Sequence, residues 1–312
     1  MNLLIVNFHY YSNKIYSSGI YPISPINFTN QVKALSKTYN FVGQKEVSSW
    51  IKNGERPVGN YCLLTFDDGL KQQMNAFNWL MENEVPAIFY VPAKPFVEKT
   101  ILDVHKLHLI RTKTNDDDLL EVINESFDIE FTDQNILQAK NQYRYDSVNS
   151  QKLKYILNFI ISEKEKKKLI DNYFVKIFGN EEVFSNSFYM DENDVKLISN
   201  KGMLGNHGYA HIPLATLSIN DAKEDVSRST NYFEKLTQNK LISFSYPYGG
   251  KSAVNQCVAD IIKTQEYDFG LTMHRGINDS LEQPFLLKRI DTNDAPGGKN
   301  NSLLYLPNQL KK

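Results

Sequence analysis

The chain has 312 residues, with 35 Lys and Arg against 36 Asp and Glu for a formal charge of −1; at roughly 150 residues per domain this is about two ordinary domains, or one barrel with an insertion. Neither sign of charge accumulates enough for a nucleic-acid or anionic-membrane footprint, so nucleic acid is not an expected partner. Only two cysteines occur, Cys62 and Cys257, which excludes a disulfide framework and argues against a cysteine-based zinc site.

The amino terminus carries an apolar run, Leu3 to Val6, with no basic leader and no small-residue cleavage site. No stretch approaches the roughly 20 apolar residues that cross a bilayer. The expected address is therefore cytoplasmic, extending to the inner face of the membrane. Residues 3–10 form the first predicted strand. Ser24-Pro25 supplies an N-cap and a first-turn proline for a helix whose Phe28, Val32 and Leu35 recur at helical spacing. A short strand at 41–42 and a helix around Trp50 follow. Residues 61–66 are a buried-type strand stopped by Asp67-Asp68-Gly69, and the next helix carries Met74, Phe77, Leu80 and Met81 on one face. Residues 87–91 give another strand, ended by Pro92.

The texture changes over 99–185, where Asp116-Asp117-Asp118 and Lys164-Glu165-Lys166-Lys167-Lys168 sit in helical periodicity with almost no glycine. This segment is expected to be a helical insertion, its charge runs solvated, offering either a lid or a surface for a second copy of the chain. Alternation resumes with Asp191 capping a helix to Ser199, a strand at 203–204, and a helix from Ser218 to about Leu236. Strands at 242–246, 269–273 and 285–290 follow, with a helix over 252–265 after the first of them. Short apolar strands alternating with helices predict an α/β fold with a parallel sheet, divided as 1–98, 99–185 and 186–312.

The polar residues of interest lie where strands end, as sites do in parallel sheets and barrels. Asp67 and Asp68 follow an apolar strand whose alternation turns successive side chains opposite ways, so the two carboxylates can serve two tasks; Asp-Asp-Gly is equally a capped turn. His207 and His211 stand four apart, and with one carboxylate they make a zinc-like set that leaves positions open for water and substrate. A chance pair of surface histidines is the alternative. Ser245-Tyr246-Pro247-Tyr248-Gly249-Gly250 ends a further strand and taken alone reads as a Pro-Gly turn.

Taken in order, Thr65-Phe66-Asp67-Asp68-Gly69, the His207/His211 pair and Tyr246-Pro247-Tyr248-Gly249 resemble the polysaccharide deacetylases with a NodB homology domain, which are metal-dependent carbohydrate esterases. The strand end at His9-Tyr10, Phe269-Gly270-Leu271-Thr272 and Leu287-Lys288-Arg289-Ile290 extend the likeness. The resemblance spans about 1–98 and 186–312 and implies a distorted (β/α) barrel. It implies Asp67 as general base, Asp68, His207 and His211 as metal ligands, and the Tyr248 backbone N–H as an oxyanion donor. The implied cofactor is a divalent metal, Zn2+ first, with Co2+, Ni2+ and Fe2+ suited to the same donors. His274 is the proposed general acid, and His9, Tyr10, Tyr209 and Tyr246 are expected near the sugar. The implied substrate is an N-acylated, first an N-acetylated, amino sugar or glycan precursor, nucleotide- or lipid-linked. N-formyl and O-acetyl hydrolysis share the mechanism.

Two departures stand out. Gly208 replaces the Ser or Thr usual after the first histidine, and Ser245 stands where the family has Arg. The second removes the usual partner of the base, a charge that Arg289 is expected to supply from a later strand. Both departures also suit a sugar-binding protein with a decayed site. A rival metal-like cluster, Asp103, His105 and His108, reads as a helix face. A phosphatase reading of Asp67-Asp68 fails because that chemistry sets its two carboxylates two residues apart.

Overall fold

The structure, a computed structural model, describes residues 1–127, 129–142 and 147–300. The chain divides into two units. One comprises residues 1–14, 22–100 and 185 onwards, and the other residues 15–21 and 101–184.

The first unit holds the described strands: β1 (Asn2–Phe8), β2 (Asn40–Phe41), β3 (Asn60–Phe66), β4 (Ala87–Val91), β5 (Leu204–Asn206), β6 (Ser243–Ser245), β7 (Phe269–Arg275) and β8 (Leu287–Asp291). All pair in parallel. Around the sheet the order is β1, β8, β7, β6, β5, β4, β3, and β1 pairs with β3 from Asn2↔Asn60 to Phe8↔Phe66, closing a seven-stranded barrel with β2 outside it on β3. This is the (β/α) barrel expected from the sequence.

Parallel strands covered on both faces read as continuous apolar runs, and Leu3 to Val6 are wholly buried. Leu4, Val6 and Phe8 pack with Phe28, Val32 and Leu35 of the helix Pro25–Ser36, while Leu3 and Ile5 join Leu63, Ile88, Tyr90, Leu271 and Leu287 in a second cluster. Side-chain alternation assigns the second cluster to the barrel interior. Gly205 is needed on β5 because a Cβ there would lie 2.3 Å from the Tyr90 ring, whose hydroxyl donates to Ser243 Oγ at 2.9 Å.

Ser24, Asp191 and Ser218 cap their helices as anticipated, each accepting a backbone N–H of the first turn. Several boundaries move. The helix expected over 252–265 spans Gln256–Thr264, because Asn255 takes the Val258 N–H at 3.0 Å and so fixes the cap. The strand expected at 203–204 is Leu204–Asn206, and β8 begins only after a 3₁₀ turn at Pro284–Leu286. The first strand ends at Phe8, whose carbonyl accepts the Asp67 N–H at 3.0 Å.

The second unit is helical, with Asp103–Arg111, Asp116–Ser126, Asp133–Gln142, Val148–Tyr155 and Glu163–Phe178 as its α-helices. Its residues 15–21 are tied in by the Ser18 hydroxyl, which donates to the Arg111 carbonyl. Asp116 departs from the solvated face expected of the acidic run, since Arg111 holds it at 2.9 and 3.0 Å. Lys106 is buried between Asp171 and Glu181. No helix among the described residues is long and apolar enough to cross a membrane.

Candidate active site

Asp67 and Asp68 leave β3 into different surroundings. Asp67 continues the inward-facing series and is 2 % exposed. Asp68 has φ 84° and so enters a left-handed turn; its carboxylate is placed by that turn and not by strand alternation.

Inside the barrel Arg289 of β8 grips Asp67 with both ends of its guanidinium, Nη1 to Oδ1 and Nη2 to Oδ2, each at 2.9 Å. Nε donates to the Thr272 carbonyl at 3.0 Å, and Nη2 to Ser245 Oγ at 2.9 Å. The Ser245 hydroxyl in turn donates to Asp67 Oδ2 at 3.1 Å, and Asn7 Nδ2 donates to the same oxygen at 3.2 Å. Burial pushes the Asp67 carboxyl upward. The Arg289 charge, followed by His207, outweighs it and holds the group below the ordinary carboxylate value. A small Ser245 leaves room for a guanidinium that arrives from β8.

Asp68 meets the two histidines. Its Oδ1 lies 3.5 Å from His207 Nε2 and 3.2 Å from His211 Nε2. The ligand-type atoms of the three residues all fall within 4.8 Å of one another, the one such set of three or more His, Cys, Asp or Glu found among the described residues. Asp103, His105 and His108 do not form one. His207 Nδ1 lies 2.7 Å from the Ser245 carbonyl. A carbonyl only accepts, so Nδ1 carries the proton and Nε2 presents a lone pair beside Asp68. Three donors of this kind, one with its tautomer set from behind, fit a divalent metal with open positions. Ser245 thus serves both halves of the site, its hydroxyl on Asp67 and its carbonyl on His207.

The loop between the histidines is fastened from several sides. His207 N–H pairs with the Val91 carbonyl at 3.1 Å, Ala93 and Lys94 N–H groups bond the Gly208 and Tyr209 carbonyls at 3.1 and 2.9 Å, and Gly208 N–H reaches Asn206 Oδ1 at 2.9 Å. Asp225 of the helix Ile219–Thr237 accepts the Tyr209 and Ala210 N–H groups at 2.8 and 2.9 Å. Sequence reading missed Asp225. The available signal was an acidic residue on the buried face otherwise made by Ala222, Val226, Ser229 and Phe233.

The other expected residues scatter. His9 lies just beyond β1; Gln73 Nε2 donates to both the His9 and Asp67 carbonyls, at 2.9 and 2.6 Å, and the His9 charge acts on the Asp67 carboxyl. His274 sits near the end of β7, with its Nε2 buried; among the described residues no hydrogen bond or ion pair joins it to Asp67, Asp68, His207 or His211. Tyr248 has φ 62° and is 51 % exposed, its ring centroid 5.1 Å from that of His211. Tyr246, expected near the sugar, is 1 % exposed, and its hydroxyl donates to the Phe285 carbonyl at 2.9 Å. Tyr209 is likewise buried, its hydroxyl on Glu98 and the Arg228 guanidinium 3.7 Å above its ring, and Tyr10 is 9 % exposed. Neither offers an open face for a sugar to stack on.

A family model described as polysaccharide deacetylase matches residues 133–270. That stretch includes His207, His211, Asp225 and Tyr248, while Asp67 and Asp68 precede it. No curated protein matches the chain by sequence. Among solved structures, the Streptococcus pyogenes deacetylase PplD in complex with acetate is similar at TM-score 0.58 and 16 % identity, covering 96 % of either chain. IcaB from Ammonifex degensii is similar at TM-score 0.59 and 17 % identity, covering 95 % of this chain and 94 % of that one. A de-N-acetylase from Aggregatibacter actinomycetemcomitans is similar at TM-score 0.57 and 13 % identity, covering 97 % of this chain and all of that one, 100 %.

Proposed function

For a chain with the barrel of the polysaccharide deacetylases and a match to their family model over residues 133–270, we propose hydrolysis of an N-acyl group, first N-acetyl, from an amino sugar or glycan. The observation that carries this reading is the division of two adjacent carboxylates, Asp67 locked ionised by Arg289 and Asp68 turned towards two imidazoles. Asp68, His207 and His211 would hold a divalent metal, with zinc the first expectation from two imidazoles and a carboxylate. Such an ion, when bound, supplies a Lewis acid that polarises a carbonyl and lowers the pKa of water towards about 7.

The chain's own residues account for the rest. Asp67 Oδ2 is 3.9 Å from His207 Nε2, so it borders the ligand set and is placed to take a proton from the attacking water. Arg289 keeps that carboxylate charged, and hence free of a proton of its own, while Ser245 and Asn7 fix its rotamer. The Tyr248 N–H is the oxyanion donor in this reading, its turn pinned by Gly249 N–H on the Pro247 carbonyl and Met273 N–H on the Gly249 carbonyl, both at 2.8 Å. An amine leaves poorly unless protonated, so a general acid is needed. His9, whose charge acts on the Asp67 carboxyl, is taken for this role in preference to His274, which among the described residues has no bond to the four site residues.

The two departures that suggested a decayed site have physical answers: Arg289 stands in for the missing arginine, and Asp225 fills the space beside Gly208. Acetate release from a panel of N-acetylated sugars and oligosaccharides, run with metal analysis, tests the reading. Formyl and O-acetyl substrates in the same panel separate the variants of the reaction, and nucleotide-linked, lipid-linked and polymeric acceptors separate the forms of the sugar. A metal-loaded protein that released no product from any of them would overturn it.

A further inference from the structure

Gly208 has φ +75°, and a Cβ built on it would lie 2.8 Å from Asp225 Oδ1. Asp225 is 8 % exposed, and both its oxygens are used, Oδ1 on Tyr209 N–H and Oδ2 on Ala210 N–H. One carboxylate therefore fixes two of the three residues that separate His207 from His211. Placing a carboxylate at this depth carries a desolvation cost, which the two backbone N–H donors and the neighbouring Arg228 offset only in part, so that burial holds the carboxyl above the ordinary carboxylate range. Nothing in the packing of the helix Ile219–Thr237 needs an acid there, since its other buried positions are Ala222, Val226, Ser229 and Phe233.

We infer that Asp225 is the positioning residue that sets the His207–His211 loop for metal capture, in place of a side chain at position 208. The inference rests on the metal-site reading above. Charged hydrogen bonds to two successive loop amides hold the peptide that carries His211, at φ 55°, so the imidazole is in place before any ion arrives. Gly208 and Asp225 are a coupled pair: the carboxylate occupies the space a Cβ would need, and its two bonds do the orienting that a local hydroxyl would do.

The test is Co2+ binding to the full chain by chelator competition, with the visible spectrum of bound Co2+ as a second readout. Wild type is expected to bind one ion per chain. Asp225→Asn keeps the volume but turns an N–H donor towards a loop N–H, and is expected to weaken Co2+ binding 10- to 100-fold and to shift the visible bands. Asp225→Glu, measured alongside it, keeps the charge but displaces the carboxylate and is expected to weaken binding as well. Val226→Ala, a small cavity on the same helix, calibrates a merely structural loss and is expected to leave affinity and spectrum unchanged. Wild-type affinity and bands in a folded Asp225 variant would overturn the inference, as would an equal loss in Val226→Ala. A wild type that binds no Co2+ would instead remove the metal-site reading.

Discussion

Arg289 on β8 and Asp67 at the end of β3 meet across the barrel interior in a two-pronged ion pair, both bonds 2.9 Å, with Arg289 1 % exposed. A fork of this kind is geometrically selective, and it makes the protonation state of one carboxylate depend on a residue 222 positions away.

The first prediction follows from that pair. Asp67 titrates below its unfolded value of about 3.9, so the pair stabilises the fold above that pH and the contribution is lost as pH falls through the folded-state value. Arg289→Met removes the largest influence that lowers this carboxyl and leaves burial opposed only by the weaker ones, His207 and His9, so the Asp67 value moves upward. Stability at neutral pH should drop by about 3–5 kcal/mol, the cost of a buried charge without its partner, and recover in part as Asp67 is protonated. The acid limb of kcat/KM should move to higher pH. Urea unfolding and a pH–rate profile check both, and an unchanged profile would remove Arg289 from the reading.

Asp67 and Asp68 should separate by substitution. Asp67→Asn is expected to retain the metal and lose about 10²–10⁴-fold in kcat, the usual worth of a positioned base. Asp68→Asn, His207→Ala and His211→Ala should lose metal and activity together. Chelation of the wild type should abolish turnover, and Zn2+ or Co2+ should restore it. Metal content and acetate release on the same samples decide the matter.

Ser245→Ala deletes the hydroxyl that bridges Asp67 and Arg289 but keeps the carbonyl on His207. It should cost about 1–3 kcal/mol of stability and loosen Asp67 without reducing metal content. Loss of bound metal in this variant would contradict the assignment of separate tasks to the two groups of Ser245.

The two histidines proposed as acid are distinguished by leaving group. His9→Gln should slow amide hydrolysis by at least about 10²-fold and spare an activated ester, whose leaving group needs no proton. His274→Gln should change either rate by less than about tenfold. The opposite pattern would return the role to His274.

Gly205→Ala places a methyl group against the Tyr90 ring. About 1–3 kcal/mol or more of destabilisation is expected from overpacking, and Tyr90→Phe, which keeps the ring, should not relieve it. Thermal unfolding of the two variants and their combination measures this.

Much of the site was legible because its chemistry is locally dense. Asp67-Asp68-Gly69 and His207-x-x-x-His211 each bring donors together within a few residues, and Ser245 standing where the resembled family has Arg points to Arg289 as the replacement charge. What escaped depends on contacts distant in sequence. Nothing near Tyr209 or Tyr246 reveals that Arg228 or Phe285 will cover them. Asp225 was hidden by its setting in a helix rich in polar residues, where its buried position shows only once the face is known. The grouping of residues 15–21 with the second unit has no local signal at all.

The pairing of β1 with β8 in the barrel has a consequence for biosynthesis. A nascent chain emerges with Asp67 long before Arg289, and until β8 is threaded beside β1 the carboxylate lacks its principal interior counter-charge. Ribosome-bound intermediates should therefore keep the strand ends open to water, and truncation anywhere before Leu287 should yield an unfinished barrel that chaperones and proteases recognise.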